Sequence, residues 1–206
     1  KFTETVKLFA VAQLDNSNRE LETIQLVEAI QLGNVLLENP DLPEDLINTA
    51  MEKFKKRTNL LPVVISHGDF TPFNIMEGGV IDFETRVMMP FGYDIVTGVV
   101  FQKFWDHPKP NGSGTMKLWD FSNEQLTSYF DQIDMLCKKY NISNISDFKN
   151  DFIFLKSIWA LSYEKDEVYS ARWEWRKKVM LSCMHKYISD LEIDSNSFPE
   201  IGLQGG

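Results

Sequence analysis

Cysteine is scarce: Cys137 and Cys183 are the only two, too few for the disulfide framework that staples small secreted domains. Both fall in helical patterns without an activating partner and read as small apolar fillers, so a reducing, cytoplasmic location is the simpler expectation. Histidine is scarce too. His107 and His185 have no ligand spacing to support His67 in a histidine-based metal site. No run reaches the roughly 18 apolar residues of a membrane span, and no basic flank with an apolar run opens the chain, so it reads as soluble and without an export signal. Basic residues are outnumbered 21 to 30 by acidic ones, a net charge of -9. That balance argues against binding to nucleic acid or an anionic membrane, and it suits a cationic partner. Glycine is nearly missing from the first third, where Gly33 is the only one among 67 residues.

What is present is enough for a core. A chain of 206 residues, 43% hydrophobic and 13% aromatic, needs no staple and reads as a single domain over 1–206. Residues 1–15 have no clear period. Asn16 and Ser17 offer a cap for a stripe at Leu21, Ile24, Val27 and Ile30, and Pro43-Glu44-Asp45 reads as the acidic start of a second helix closing on Lys53, Lys55, Lys56 and Arg57. Pro62-Val63-Val64-Ile65 predicts a buried strand, and 74–82 a small hairpin around Glu77-Gly78-Gly79. From Asp94 an almost wholly apolar run predicts a central helix, 106–115 a loop, and 122–191 three more helices, with Ser122 and Ser146 as caps of the first two. The expected fold is α+β and mainly helical.

The polar residues that carry chemistry lie in 62–105. Ser66-His67-Gly68-Asp69 leads through Phe70-Thr71-Pro72-Phe73 to Asn74, and Val80-Ile81 ends in Asp82-Phe83-Glu84. Phosphoryl transfer asks for such a set: a carboxylate to orient a hydroxyl and take its proton, and an amide with a second carboxylate to hold magnesium through oxygen. A three-residue turn at 77–79 would set Asn74 opposite Asp82 with Cβ atoms ~5 Å apart, whereas a two-residue Gly78-Gly79 turn would put them on opposite faces. Both registers stay open.

The pattern His67-Gly-Asp69-x4-Asn74, followed by Ile81-Asp82-Phe-Glu84 and Pro90-Phe-Gly-Tyr-Asp94, resembles the catalytic core of the aminoglycoside phosphotransferase and choline kinase family. The resemblance implies the C-terminal lobe of a protein-kinase-like fold with a small β hairpin carrying the catalytic loop. It implies ATP or GTP as donor, Mg2+ as cofactor and a small acceptor, cationic or sugar-like. It makes Asp69 the catalytic base, Asn74 and Asp82 the metal ligands, and His67 and Asp94 braces of the loop; Asp94 reads equally well as a helix N-cap. Glu84 is a candidate substrate contact. Trp159 and Trp173 are candidates for the aromatic faces that hold a quaternary ammonium in choline kinases, against the reading that they are core.

The glycine-rich loop and strand-borne lysine of a kinase N-terminal lobe have no counterpart before Val63, so that lobe is expected to be missing from this chain. The rival from another class is a nonenzymatic, kinase-like binding module. A third reading takes His67, Asp69 and Asp82 as ligands of a metal hydrolase.

Overall fold

The structure, a computed structural model, describes residues 2–17, 41–76, 79–105 (backbone only from 101), 124–162 and 170–189. The stripe expected at 21–30, the loop at 106–115 and the cap at Ser122 lie outside these residues. Six helices and four short strands are described: α1 (Phe2–Asp15), α2 (Glu44–Thr58), β1 (Val63–Ser66), β2 (Ile75–Met76), β3 (Gly79–Val80), β4 (Val87–Pro90), α3 (Tyr93–Trp105), α4 (Glu124–Lys139), α5 (Lys149–Ser162) and α6 (Ala171–Ser189). The protein is therefore mainly helical, with two small antiparallel sheets.

Residues 2–15, without clear period in the sequence, form a helix because a sparse stripe at Val6, Ala10, Gln13 and Leu14 is buried. In α2 the stripe is fuller, with Ile47, Ala50, Met51, Phe54 and Thr58 buried. Glu44 and Asp45 sit in its first turn and Lys55, Lys56 and Arg57 in its last, each sign matched to the helix dipole.

β1 pairs with β4, in the register Val63↔Pro90 to Ser66↔Val87, a partner that the sequence did not announce. β2 and β3 form the expected hairpin, but in a third register. Met76 faces Gly79 and Ile75 faces Val80, so the two connecting residues are Glu77 and Gly78. Asn74 therefore stands opposite Ile81, whose N–H it accepts at 3.0 Å, and not opposite Asp82.

α5 is the centre of the core, its side chains buried from Asp151 to Leu161, and it packs on α3 and α6. At about 1.5–3 kcal/mol per large apolar side chain, its six Phe, Ile and Leu residues bury enough to tolerate polar groups among them. One such group is Asp151, which accepts Arg57 Nε at 2.8 and 3.1 Å and the Tyr187 hydroxyl, joining α2, α5 and α6. Ser170 accepts the N–H of Trp173 at 3.1 Å and caps α6. Ser146, expected to cap α5, lies instead within a 3-10 turn over Ile145–Phe148 and donates its hydroxyl to Asp134. Among the described residues, no helix is long and apolar enough to cross a membrane.

Candidate active site

The segment 67–71 leaves the end of β1 and turns toward the hairpin. Its backbone N–H groups would be unsatisfied there without a buried acceptor. Asp94, in the first turn of α3, supplies it: Oδ2 accepts the N–H of His67 at 2.9 Å and Oδ1 that of Gly68 at 3.2 Å. Gln13 of α1 donates to the same Oδ2 at 2.7 Å and to the Ile65 carbonyl at 3.0 Å. Burial pushes the Asp94 carboxyl up, and these three hydrogen bonds and the charge of His67 work against that rise. Asp94 does not cap α3, which begins at Tyr93; its carboxylate bonds the loop.

His67 is buried and its Nε2–H donates to the Ile81 carbonyl at 2.7 Å. A carbonyl can only accept, so this nitrogen carries the proton. The bond pins the residue before Asp82 to the end of β1. Thr85 Oγ1 donates to the His67 carbonyl at 3.0 Å and ties the following turn to the same point. Gly68 has φ +84°, and a Cβ there would lie 2.1 Å from the Thr85 carbonyl oxygen. Only glycine lets the chain pass. Behind the loop Phe70 stacks on Phe9 of α1, centroids 5.1 Å apart.

Asp69 then projects from a braced backbone with its side chain 40% exposed. Asn74 closes a 3-10 turn, and its Nδ2 donates to the Asp69 carbonyl at 2.9 Å. That leaves Oδ1 as the amide's remaining acceptor, held one turn from Asp69. Asp82 is exposed and sits at φ 66°, ψ 58°, a left-handed conformation that strains any residue with a side chain. Glu84 is exposed in the adjoining turn over Phe83–Thr85. An amide oxygen and one carboxylate, both half-open or exposed, are a donor set that fits magnesium, which takes few protein ligands and completes its shell with water and phosphate. Among the described residues no three His, Cys, Asp or Glu side chains converge as a metal site, so His67, Asp69 and Asp82 do not form the cluster a metal hydrolase would need.

Two residues that sequence reasoning missed complete the surroundings. Gln13 is one. The other is Lys156 of α5, whose Nζ lies 3.9 Å from Asp69 Oδ1 while the side chain is only 4% exposed. Burial lowers its pKa to about 8, with Asp69 and Asp94 opposing the drop and Arg176 adding to it. A signal was there to read: Lys156 is the single charge in an apolar run from Phe152 to Leu161.

The aromatic candidates are placed differently from an open cage. Trp159 is 9% exposed, stacks on Tyr93 at 5.6 Å and has the Lys156 ammonium 5.4 Å from its centroid. Trp173 is 1% exposed with Lys177 over its ring. A separate concavity between α1, α3 and α4, lined by Phe2, Val99, Tyr129 and Gln132, contains none of the Asp69 set.

The braced loop, the hairpin and the following turn gather the motif residues 67–84 around one end of β1. Residues 8–115 match the phosphotransferase enzyme family (APH), more than half of the chain, and the protein belongs to that family. The match opens in α1, well before the motif segment, and the family implies a kinase-like fold. No match was found among curated proteins or among solved structures.

Proposed function

We propose that this site transfers the γ-phosphoryl group of ATP or GTP to a hydroxyl of a small molecule such as an aminoglycoside, amino alcohol or sugar. In this reading the chain forms the C-terminal lobe of the kinase-like fold. The observation that carries it is the half-open Asp69 carboxylate on a loop whose backbone is fixed by Asp94 and tied to the Asn74 amide, with Asp82 exposed at the end of the adjoining hairpin. Family membership supports the reaction class.

Asp69 accepts the proton of the acceptor hydroxyl as its oxygen bonds to the γ-phosphorus. The bond from that phosphorus to the bridging oxygen breaks, and its electron pair leaves with the nucleoside diphosphate. Asn74 and Asp82 would hold Mg2+, which when bound supplies charge neutralisation on the phosphates. Such catalysis rests on positioning and preorganised charge, and the bonds of Gln13, His67 and Asp94 serve that end by fixing the loop. Ile65, Phe73, Met76, Ile81 and Phe83 are exposed around the segment and offer apolar surface suited to the base of a nucleotide. Glu84 is open to a cationic acceptor. Trp159 contributes a wall rather than a free face.

The test is phosphorylation of kanamycin, choline, ethanolamine and glucose by the product of the complete gene with magnesium and ATP. Turnover is expected for at least one, and Asp69→Ala should lower it about 10²–10⁴-fold, as loss of a general base does. Full activity in Asp69→Ala would overturn the assignment of the base. Nucleotide binding without any turnover would favour the nonenzymatic module.

A further inference from the structure

A buried ammonium is expensive unless its donors are satisfied, and Lys156 makes no hydrogen bond among the described residues. The ion pair with Asp69, at the long end of such contacts, leaves its N–H donors without a hydrogen-bond acceptor among those residues. Asp94 already accepts from Gln13, His67 and Gly68, and the guanidinium of Arg176 donates to the Ala160 carbonyl. Asp69 faces Lys156 at 3.9 Å, beyond direct hydrogen bonding and too close for a separate water layer. One oxygen fits both. An oxygen about 2.8 Å from each atom closes a triangle with an angle of about 90° at the oxygen, acceptable for a hydroxyl that donates one bond and accepts another.

Resting on the reading above, we propose that Lys156 is a further catalytic residue: its ammonium and the Asp69 carboxylate grip the same acceptor oxygen, which donates its proton to Asp69 and accepts an N–H from Lys156. Lys156 stays protonated throughout. The proton of the hydroxyl goes to Asp69, the new P–O bond forms on the gripped oxygen, and the old one breaks toward the nucleoside diphosphate. Lys156 orients the nucleophile and stabilises the negative charge that grows on it. Its ammonium lies 5.4 Å from the centroid of the Trp159 ring, itself stacked on Tyr93, and that ring helps to hold it in place. The groups facing the ammonium are Asp69, Asp94 and Arg176, and with its pKa at about 8 the working, protonated form dominates at neutral pH and is lost just above it.

A crystal structure of the full-length protein, at a resolution that shows ordered water, tests the geometry without reference to activity. An oxygen within about 3.2 Å of both Lys156 Nζ and Asp69 Oδ1 is expected. Direct contact of the two side chains with no shared oxygen, or an ammonium turned away from Asp69, overturns the proposal. Kinetics with magnesium and ATP, taking water as the acceptor, separate it from the base assignment. Lys156→Met should lower turnover about 100-fold at unchanged KM for ATP, which mere structural damage would not do selectively. Lys156→Arg should recover part of the rate and abolish the fall expected above about pH 8 in the wild type. If Asp69→Asn is inactive and Lys156→Met, melting no lower than the wild type, turns over as fast as it does, this proposal alone fails. If Asp69→Asn is fully active, the proposed function fails first.

Discussion

The carboxylate of Asp94 accepts the backbone N–H of His67 at 2.9 Å, a contact spanning 27 residues that fixes the loop carrying Asp69 to the first turn of α3. Every neighbour bonded to that carboxylate is a donor: His67, Gly68 and Gln13. Asp94→Asn keeps the shape but turns one acceptor into a donor facing donors. It should destabilise the fold by about 2–3 kcal/mol and lower the melting temperature by several degrees. Urea unfolding measures it, and a change under about 0.5 kcal/mol would mean that the bonds contribute little.

Gly68 and Gly79 make a matched pair. A Cβ at Gly68 meets the Thr85 carbonyl and the Trp159 ring, at a positive φ; at Gly79 it meets nothing within 4 Å. Gly68→Ala should cost more than about 2 kcal/mol and shift the loop, whereas Gly79→Ala should stay within about 0.5 kcal/mol. Equal melting temperatures for the two variants would contradict the loop geometry.

Asp82 combines a strained backbone with an exposed carboxylate. If the carboxylate serves chemistry and the strain is tolerated for it, both Asp82→Ala and Asp82→Gly lose turnover. Asp82→Gly should nevertheless be about 1 kcal/mol more stable than Asp82→Ala, because glycine takes the left-handed conformation freely. Retained turnover in either variant would remove Asp82 from the magnesium site.

Lys156→Met should raise stability while lowering activity. The ammonium is buried, and Asp69, 40% exposed, is cheaply left to water once the pair is gone. Replacing the charge by an apolar chain of similar length should therefore stabilise by about 1–3 kcal/mol at neutral pH. The sign with pH follows from the lowered pKa. Below about 8 Lys156 is protonated whether folded or unfolded, and the full cost of burial is present. Above it the folded protein loses the proton first, so wild-type stability rises relative to the variant until the ordinary lysine pKa of 10.5 is passed. A gap between the two proteins that does not narrow over that range would contradict the burial of a charged lysine.

Much of this was legible in the sequence. Pro43 and the acids after it, the strand before His67, the hairpin and the apolar helix after Asp94 all follow from local chemistry, and the motif residues lie on the loop after β1, on the turns flanking the hairpin and at the start of α3. What was not legible depended on distant partners. In α1 the buried stripe includes Gln13 and the exposed face includes Leu8, so its period is blurred until Asp94 explains Gln13. β4 is a short Met-rich strand ending in proline and gains its identity only by pairing with β1. The hairpin register turned on one glycine, since Glu77-Gly78 connects the strands where Gly78-Gly79 was equally plausible. The pairing of Lys156 with Asp69 joins residues far apart in sequence, and no local pattern encodes it.

Magnesium-dependent phosphoryl transfer that needs Asp69 is the reaction proposed for this site. Phosphorus NMR of the full-length protein incubated with ATP, magnesium and the panel of kanamycin, choline, ethanolamine and glucose tests it most directly. A new phosphate monoester that disappears on adding EDTA and in Asp69→Ala is the predicted result. A product that forms equally well in Asp69→Ala, or ATP left intact by a wild-type protein that binds it, would contradict that reaction.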